Sequence, residues 1–545
     1  MLPLCCSLGL IAVVGSCLAQ PSDSPAARWR PLYEDGKWSP HVTAWIGDGT
    51  HSQRTPEGLL LADTSAEKGS GRFYQLDWQA DPAKGAALEA RVKVISCSAP
   101  WGVTMMVADG GHEEGLTLFP DRLELENAKE TVPFDTVSAF HTYQLAIKGT
   151  DLQLLVDGKV LVDAAGRYTT PAQCTPPRNT CGFGAGASSA QGEAVWEWVR
   201  FQSDLPAMAG PKAPDVPGLK VAIGQTVDLI PDAIYTSLFR FRDGRLSVGG
   251  KLSTDRGRTW QPGPGVGVGG FEFADGETIS PGFNTRKVAD GVFEVPLSRS
   301  KDGGAAFTGE TARLTIPEGT GGTGDDGKYY EGPSVDHAIV QLRDGSLLMA
   351  MYGYFKTDTV LCPAYPPEWK LYKYRSWVMH STDRGRSWDY WATVAYDPVV
   401  GCESFCEPDL LTLPNGDILC FMRTGGSPPK YMTPLYLSTS KDDGKTWSKP
   451  VPIADRGVWP NACRMRSGVL VVTYGRPDNW LAFSLDDGRK WLGHLCFYQG
   501  PTTSYNSVEE VAPGELLVVY DRAGLDADGN QGTGVVGTFV SVRKR

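Results

Sequence analysis

Seven histidines in 545 residues are few, and they never fall with the 12 cysteines in zinc-ligand spacing. No calcium-loop sequence occurs either. A metal centre is therefore not expected, nor is any cofactor. The glycine-rich stretch 319–327 lacks the Lys-Ser/Thr ending of a phosphate loop and reads as a flexible loop. Positive charge is scarce: 52 Lys and Arg against 63 Asp and Glu leave a net charge of −11, with no basic stripe. That argues against nucleic acid as a partner. It leaves anionic small substrates open, because a local arginine cluster can outweigh the global sign. Beyond the first residues no run is long and apolar enough to span a bilayer. Three cysteines lie in the N-terminal leader and the remaining nine are odd in number, so at least one cannot pair within the chain. Cys174 with Cys181, and a pairing among Cys362, Cys402 and Cys406, are candidate disulfides; buried thiols are the alternative.

What is abundant points one way. Sixty-four glycines and 16 tryptophans suit a turn-rich all-β protein, and the length calls for two domains. Residues 1–19 read as a secretory signal, with Leu2 to Ala19 apolar and short. Export to the periplasm or the outside is expected, and Val14 to Cys17 loosely fits a lipoprotein box that would anchor the chain at Cys17.

Residues 29–203 alternate as strands do. Ala87–Ile95, Leu116–Phe119 and Leu123–Leu125 are such segments, as are Phe140–Ile147 and Val195–Phe201. Leu152–Leu161 is a hairpin, with Asp157-Gly158 as its turn. This segment resembles the concanavalin/laminin-G type of jelly-roll β-sandwich. Carbohydrate binding and a packing or spacer role are both open for it. A Pro/Ala-rich linker, 204–217, follows.

Residues 218–545 carry a phrase repeated five times, Ser-x-Asp-x-Gly-x-x-aromatic. Its copies start at Ser253, Ser300, Ser381, Ser440 and Ser484 and end at Trp260, Phe307, Trp388, Trp447 and Trp491. Repetition at this scale means one supersecondary unit used many times. Ser and Asp cap a tight turn, glycine supplies positive φ, and the aromatic anchors the next strand. The phrase resembles the Asp-box of sialidase-like, BNR-repeat β-propellers. The resemblance implies a six-bladed propeller closed by pairing Val535–Val542 with the strand near Val221. In that family the boxes sit away from the catalytic face, so they mark the fold and not the chemistry.

The chemistry rests on four other positions. Glu407 opens one blade and Arg423 ends its hairpin; Arg476 precedes the box at Ser484; Tyr505 follows in Ser504-Tyr505-Asn506. Their order and spacing resemble the sialidase pattern, which implies Tyr505 as nucleophile, Glu407 as its base, and Arg423 and Arg476 as carboxylate ligands. A tyrosine suits a sugar whose own carboxylate would repel an Asp or Glu nucleophile, and a nearby glutamate can take its proton. Arginines grip carboxylates through paired, charge-assisted bonds. Each residue also has a plainer reading: an ion pair between Glu407 and Arg423, a turn cap at Arg476, a core aromatic at Tyr505. The first blade, Ile234 to Arg242, lacks the Arg-Ile-Pro motif and any insertion for the family's acidic proton donor. The blade from Gly332, with an insertion carrying Tyr352, Lys356, Asp358 and Arg375, offers replacements: Asp336 or His337 as acid and Arg375 as a further ligand.

The reading is therefore an exported, exo-acting glycoside hydrolase for a terminal acidic sugar on a glycan, sialic acid first. Hydrolysis or elimination at a uronic acid or another non-sialic sugar is the alternative, as is a non-catalytic carbohydrate-binding propeller. Linkage and oligomeric state carry no signal.

Overall fold

The computed structural model describes residues 29–78, 82–169, 171, 179–187, 189–202, 216–234, 237–267, 269–320, 322–323, 329–426 and 432–545. The leader with Cys17, most of the linker, Cys174 and the middle of the 319–327 loop lie outside the described residues. The chain divides into two compact units, residues 1–208 with 524–531, and residues 209–523 with 532–545.

In the first unit, alternation sorts side chains to opposite faces of each strand. Along Ala86–Cys97 the residues Leu88, Ala90, Val92 and Val94 point inward while Glu89, Arg91 and Lys93 stay half-exposed. Nine strands form one antiparallel sheet around Ala86–Cys97 and Gly192–Gln202, and seven form the other around Thr104–Asp109 and Asn179–Ala185. Their facing sides share one core that includes Met105, Leu116, Tyr143, Phe183 and Trp196, which makes a β-sandwich. Asp157 (φ 49°) and Gly158 (φ 75°) form the tight hairpin turn. Residues 524–531, far along the chain, belong to this unit. The Tyr74 hydroxyl donates to the Gly529 carbonyl (2.8 Å), and Arg72 donates to Asn530 Oδ1 (2.8 Å).

The second unit has six blades of four main antiparallel strands each, two of which are joined into one nine-stranded sheet by a parallel pairing of Thr308–Thr315 with Ser387–Ala395. Their first strands are Leu238–Arg240, Phe271–Glu272, Ser334–Gln341, Cys406–Thr412, Val458–Arg464 and Asn506–Ala512; we number the blades 1 to 6 in that order. First strands of blades 3 to 6 lie side by side in sequence, and that of blade 6 lies beside that of blade 1. The outer strand of blade 6 is Leu219–Pro231, the first strand of the unit, paired with Gln531–Lys544 so that Val221 faces Val542. This closure removes the open edge a linear array would leave. The architecture is all-β, a six-bladed propeller. No helix among the described residues is long and apolar enough to cross a membrane.

Every Asp-box starts at the last residue of a third strand, and in each the Ser hydroxyl donates to the Asp carboxylate and accepts the Gly N–H. At blade 3 the Ser381 hydroxyl donates to Asp383 Oδ1 (2.9 Å) and accepts the Gly385 N–H (2.9 Å). Asp383 Oδ1 also accepts the N–H groups of Arg386 and Ser387 (3.0 and 2.9 Å), and the Trp388 indole donates to the Gly385 carbonyl (3.0 Å). Gly385 sits at φ 81° with Ile279 Cδ1 2.9 Å from where a Cβ would stand, so both backbone and space demand glycine.

Strand direction separates these turns from the candidate chemistry. A first strand runs away from its starting edge, the second returns, and the third ends at the far edge. Boxes therefore occupy one edge, while Glu407, Arg423 and the blade 3 insertion (354–374) occupy the other.

Candidate active site

The backbone at the starts of two first strands is unusual. In blades 4 and 5 the ladder shifts register between Cys406 and Asp409 and between Val458 and Asn461. Glu407 (φ 44°) and Trp459 (φ 49°) are left-handed, and each precedes a proline. Such bulges take a residue out of the ladder and re-aim its side chain. Non-glycine residues hold this conformation only where their surroundings enforce it. The enforcement crosses blades. Glu407 Oε2 accepts the Trp459 N–H (3.0 Å), Asp409 Oδ2 accepts the Ala462 N–H (2.7 Å), and Asn461 Oδ1 accepts the Val508 N–H (2.8 Å).

The result brings Glu407, Arg423 and Tyr505 together. The Tyr505 hydroxyl donates to Glu407 Oε1 at 3.2 Å, and Arg423 Nη1 donates to the same oxygen at 2.5 Å. Arg423 also donates from Nη2 to Glu403 Oε1 (3.0 Å), while its Nε lies 2.9 Å from Glu403 Oε2 and donates to the Gly425 carbonyl (3.0 Å). All three ionic groups are about 3 % exposed or less. Burial works against the Arg423 charge, but Glu403 and Glu407 raise its pKa well above the usual arginine value. The ion pair that the plainer reading of the sequence offered is thus present, and Tyr505 is bonded to it.

Tyr505 also stacks on Trp459, with centroids 4.1 Å apart and planes at 27°, and the His337 ring meets Trp459 edge-on at 4.4 Å. Arg476 Cζ lies 5.7 Å from the Tyr505 centroid. Its guanidinium donates to the Thr503 carbonyl (2.6 and 3.2 Å) and its backbone N–H to Ser504 Oγ (2.8 Å), so it braces the turn that presents Tyr505.

Burial acts in opposite directions on Asp336 and His337, the two candidate acids. Burial, and then the charge of Glu407, pushes the Asp336 carboxyl well above the carboxylate range. Its Oδ1 accepts the His337 N–H (2.8 Å), and its Oδ2 has no hydrogen-bond partner. Burial drives His337 down to about 3, so the ring is neutral at ordinary pH and holds no proton to donate as an imidazolium. Its Nε2 makes no hydrogen bond and lies 3.8 Å from Asp336 Oδ1. Tyr352 is buried beside this cluster, its pKa raised by burial and then by Glu407 and Asp336.

Arg375, offered as a further ligand, is engaged within the protein. Asp358 takes its guanidinium in a two-point pair (2.6 and 2.8 Å), and it packs against the rings of Phe355 and Tyr396. The insertion is where a proline-rich, loop-like sequence needs an internal anchor, and this pair supplies it. Cys362 and Cys406 are buried thiols. Cys362 and Cys402 hydrogen-bond to each other, whereas Cys406 Sγ contacts Glu403 Oε2 at 3.6 Å. Among the described residues no group of three or more His, Cys, Asp or Glu side chains is placed to hold a metal ion.

Sequence reasoning missed Glu403 and Trp459. Glu403 has no motif around it. Trp459-Pro460-Asn461 does have one, since it repeats the spacing of Glu407-Pro408-Asp409 one blade later.

Residues 278–518 match the family described as BNR repeat-like domain, in line with the kinship read from the Asp-boxes. No curated protein matches the sequence. Among solved structures, a protein of unknown function from Dyadobacter fermentans DSM 18053 is 17% identical, covering 60% of this chain and 100% of its own, with a TM-score of 0.45. The NanB sialidase of Streptococcus pneumoniae is 11% identical over 86% of this chain and 98% of its own, with a TM-score of 0.37. The alpha-L-arabinanase of Penicillium chrysogenum is 14% identical over 58% and 98%, with a TM-score of 0.42.

Proposed function

We propose that this BNR repeat-like propeller is a retaining, exo-acting glycoside hydrolase. Tyr505 attacks the anomeric carbon, Glu407 takes its phenolic proton, and Asp336 protonates the leaving oxygen. The observation that carries the reading is the Tyr505–Glu407 hydrogen bond of 3.2 Å, with the same carboxylate oxygen accepting from Arg423 Nη1 at 2.5 Å. A phenol is a weak nucleophile until a base removes its proton, and here the base is already aligned. Asp336, whose carboxyl is pushed well above the carboxylate range by burial and then by Glu407, fits the proton-donor half of a division of labour between two carboxyl groups. Water then hydrolyses the glycosyl-enzyme, with the same groups acting in reverse.

The sugar is a separate matter. Each of the three Arg423 nitrogens already engages Glu403, Glu407 or Gly425, and Arg375 is held by Asp358. A substrate carboxylate would compete with two glutamates for one guanidinium. This favours a second reading, a sugar without a carboxylate. Nothing on such a sugar would repel Glu407, so Glu407 itself could attack, with Tyr505 as its hydrogen-bond donor.

A 2-deoxy-2-fluoro glycosyl fluoride panel that covers neutral sugars, with 3-fluoro-sialosyl fluoride beside it, traps the intermediate, and peptide mass spectrometry locates the label. Label on Tyr505 from the sialosyl reagent supports the first reading; label on Glu407 from a neutral sugar supports the second. For the first, Tyr505→Phe is expected to lower kcat by about 10²–10⁴-fold. No trapping and no turnover from folded protein would leave a carbohydrate-binding propeller. Export through residues 1–19 also belongs to the proposal, and N-terminal sequencing of secreted material tests it.

A further inference from the structure

The blade 3 insertion stands at the same edge as Glu407 and exposes aromatic surface. Its arms are paired: the Lys373 N–H donates to the Val360 carbonyl and the Cys362 N–H to the Leu371 carbonyl, both at 2.8 Å. Two consecutive prolines, Pro366 and Pro367, start the short turn that ends at Trp369. Proline limits the conformations open to this tip even before it packs. Trp369 is 41% exposed, and the Tyr365 ring lies parallel to it within 28°, with centroids 6.0 Å apart. A tryptophan side chain left this open in a rigid hairpin loses contact area that a ligand can restore.

The position of the pair says which ligand. The Tyr365 hydroxyl reaches Glu403 Oε1 at 3.5 Å, and Glu403 holds Arg423, which holds Glu407. The aromatic pair is therefore two side chains removed from the Glu407–Tyr505 centre, at the rim rather than in it. Sugar rings present flat C–H faces that pack on exposed indole and phenol rings, while their hydroxyls stay in water. A second sugar, still joined to the one being released, would extend from the centre toward this rim.

We propose that Tyr365 and Trp369 form a subsite for the leaving-group sugar, so that the natural substrate is an oligosaccharide or glycan and not a simple glycoside. This rests on the glycosidase reading above. Trp369 would set preference for chain length through stacking, and Tyr365 would hold the Trp369 ring in place while its hydroxyl ties the platform to Glu403.

The test uses the full chain with Trp369→Ala and Trp369→Phe. Probes are 3′-sialyl-lactose, xylopentaose and β-1,4-galactopentaose, each beside the methyl glycoside of its terminal sugar. For whichever oligosaccharide is cut, the wild type prefers it to the methyl glycoside in kcat/KM. Trp369→Ala is expected to shrink that preference about tenfold, the worth of one good aromatic contact, mainly through KM. Trp369→Phe should keep most of it. An unchanged preference in Trp369→Ala would overturn the subsite while leaving the glycosidase intact. If no probe is cut, the glycosidase reading fails on its own, and the platform is read by tryptophan fluorescence. Quenching of the wild type by an oligosaccharide, absent in Trp369→Ala, supports the subsite; no quenching of the wild type, or equal quenching in both, overturns it.

Discussion

The two edges of the propeller are built by opposite rules. At the Asp-box edge, five turns repeat nearly one set of bonds with little change in residue type: Ser to Asp, Asp to one or two backbone N–H groups, and, in the four tryptophan boxes, indole to carbonyl. At the other edge, the first strands of blades 3 to 6 begin near Asp336, Glu407, Trp459 and Tyr505, four different side chains in related places. Repetition serves folding, because a turn that closes on itself needs no help from elsewhere. Divergence serves chemistry, because a reacting centre needs unlike groups facing one another. The bulged, left-handed starts at Glu407 and Trp459 are tolerated there because bonds from neighbouring blades hold them.

The comparison can be broken most severely at Arg423. Arg423→Met leaves Glu403 and Glu407 buried without their shared cation, and should cost about 3–5 kcal/mol in urea unfolding. A loss under about 1 kcal/mol would mean that water already reaches the pair. The same measurement on the box edge should give less. Asp383→Ala removes the acceptor of two backbone N–H groups at a solvent-exposed turn and should cost about 1–2 kcal/mol. Equal costs at both edges would erase the distinction between a local turn and a buried network.

A smaller and more specific effect concerns pH. Burial raises the Asp409 carboxyl to about 8. Between about 4, its ordinary value, and about 8, the folded protein keeps a proton that the unfolded chain has lost, so this group lowers stability as pH rises through that window. Asp409→Asn keeps an oxygen for the Ala462 N–H and removes the titration. Its Tm-against-pH curve should fall less steeply than the wild-type curve over that window; parallel curves would show that Asp409 is ionised when folded. His337 acts in the opposite sense. Held neutral down to about 3, it withdraws stability as pH falls below its ordinary value of about 6.5.

Much of this was legible in the chain. Alternation marked the sandwich strands, Asp157-Gly158 marked its hairpin, and five boxes announced the propeller and its closure. Glu407 and Arg423 were legible as a pair because they flank one hairpin, 16 residues apart. Tyr505, 98 residues from Glu407, was reached only through a family resemblance. Glu403 gave no sign of itself, and Arg375 suggested a ligand when its partner, Asp358, was only 17 residues away.

What the sequence determined by itself is whatever depends on near neighbours: strand alternation, turn chemistry, and the repeat that turns one blade into six. These are periodic, and periodicity survives in a string of letters. Tertiary structure alone decided which carboxylates engage Arg423, that burial pushes Asp336 up and His337 down, and that Trp459 lies against Tyr505. Each depends on burial and on contacts between blades, and those arise only when closure of the ring brings distant strand starts to one edge and excludes water from between them.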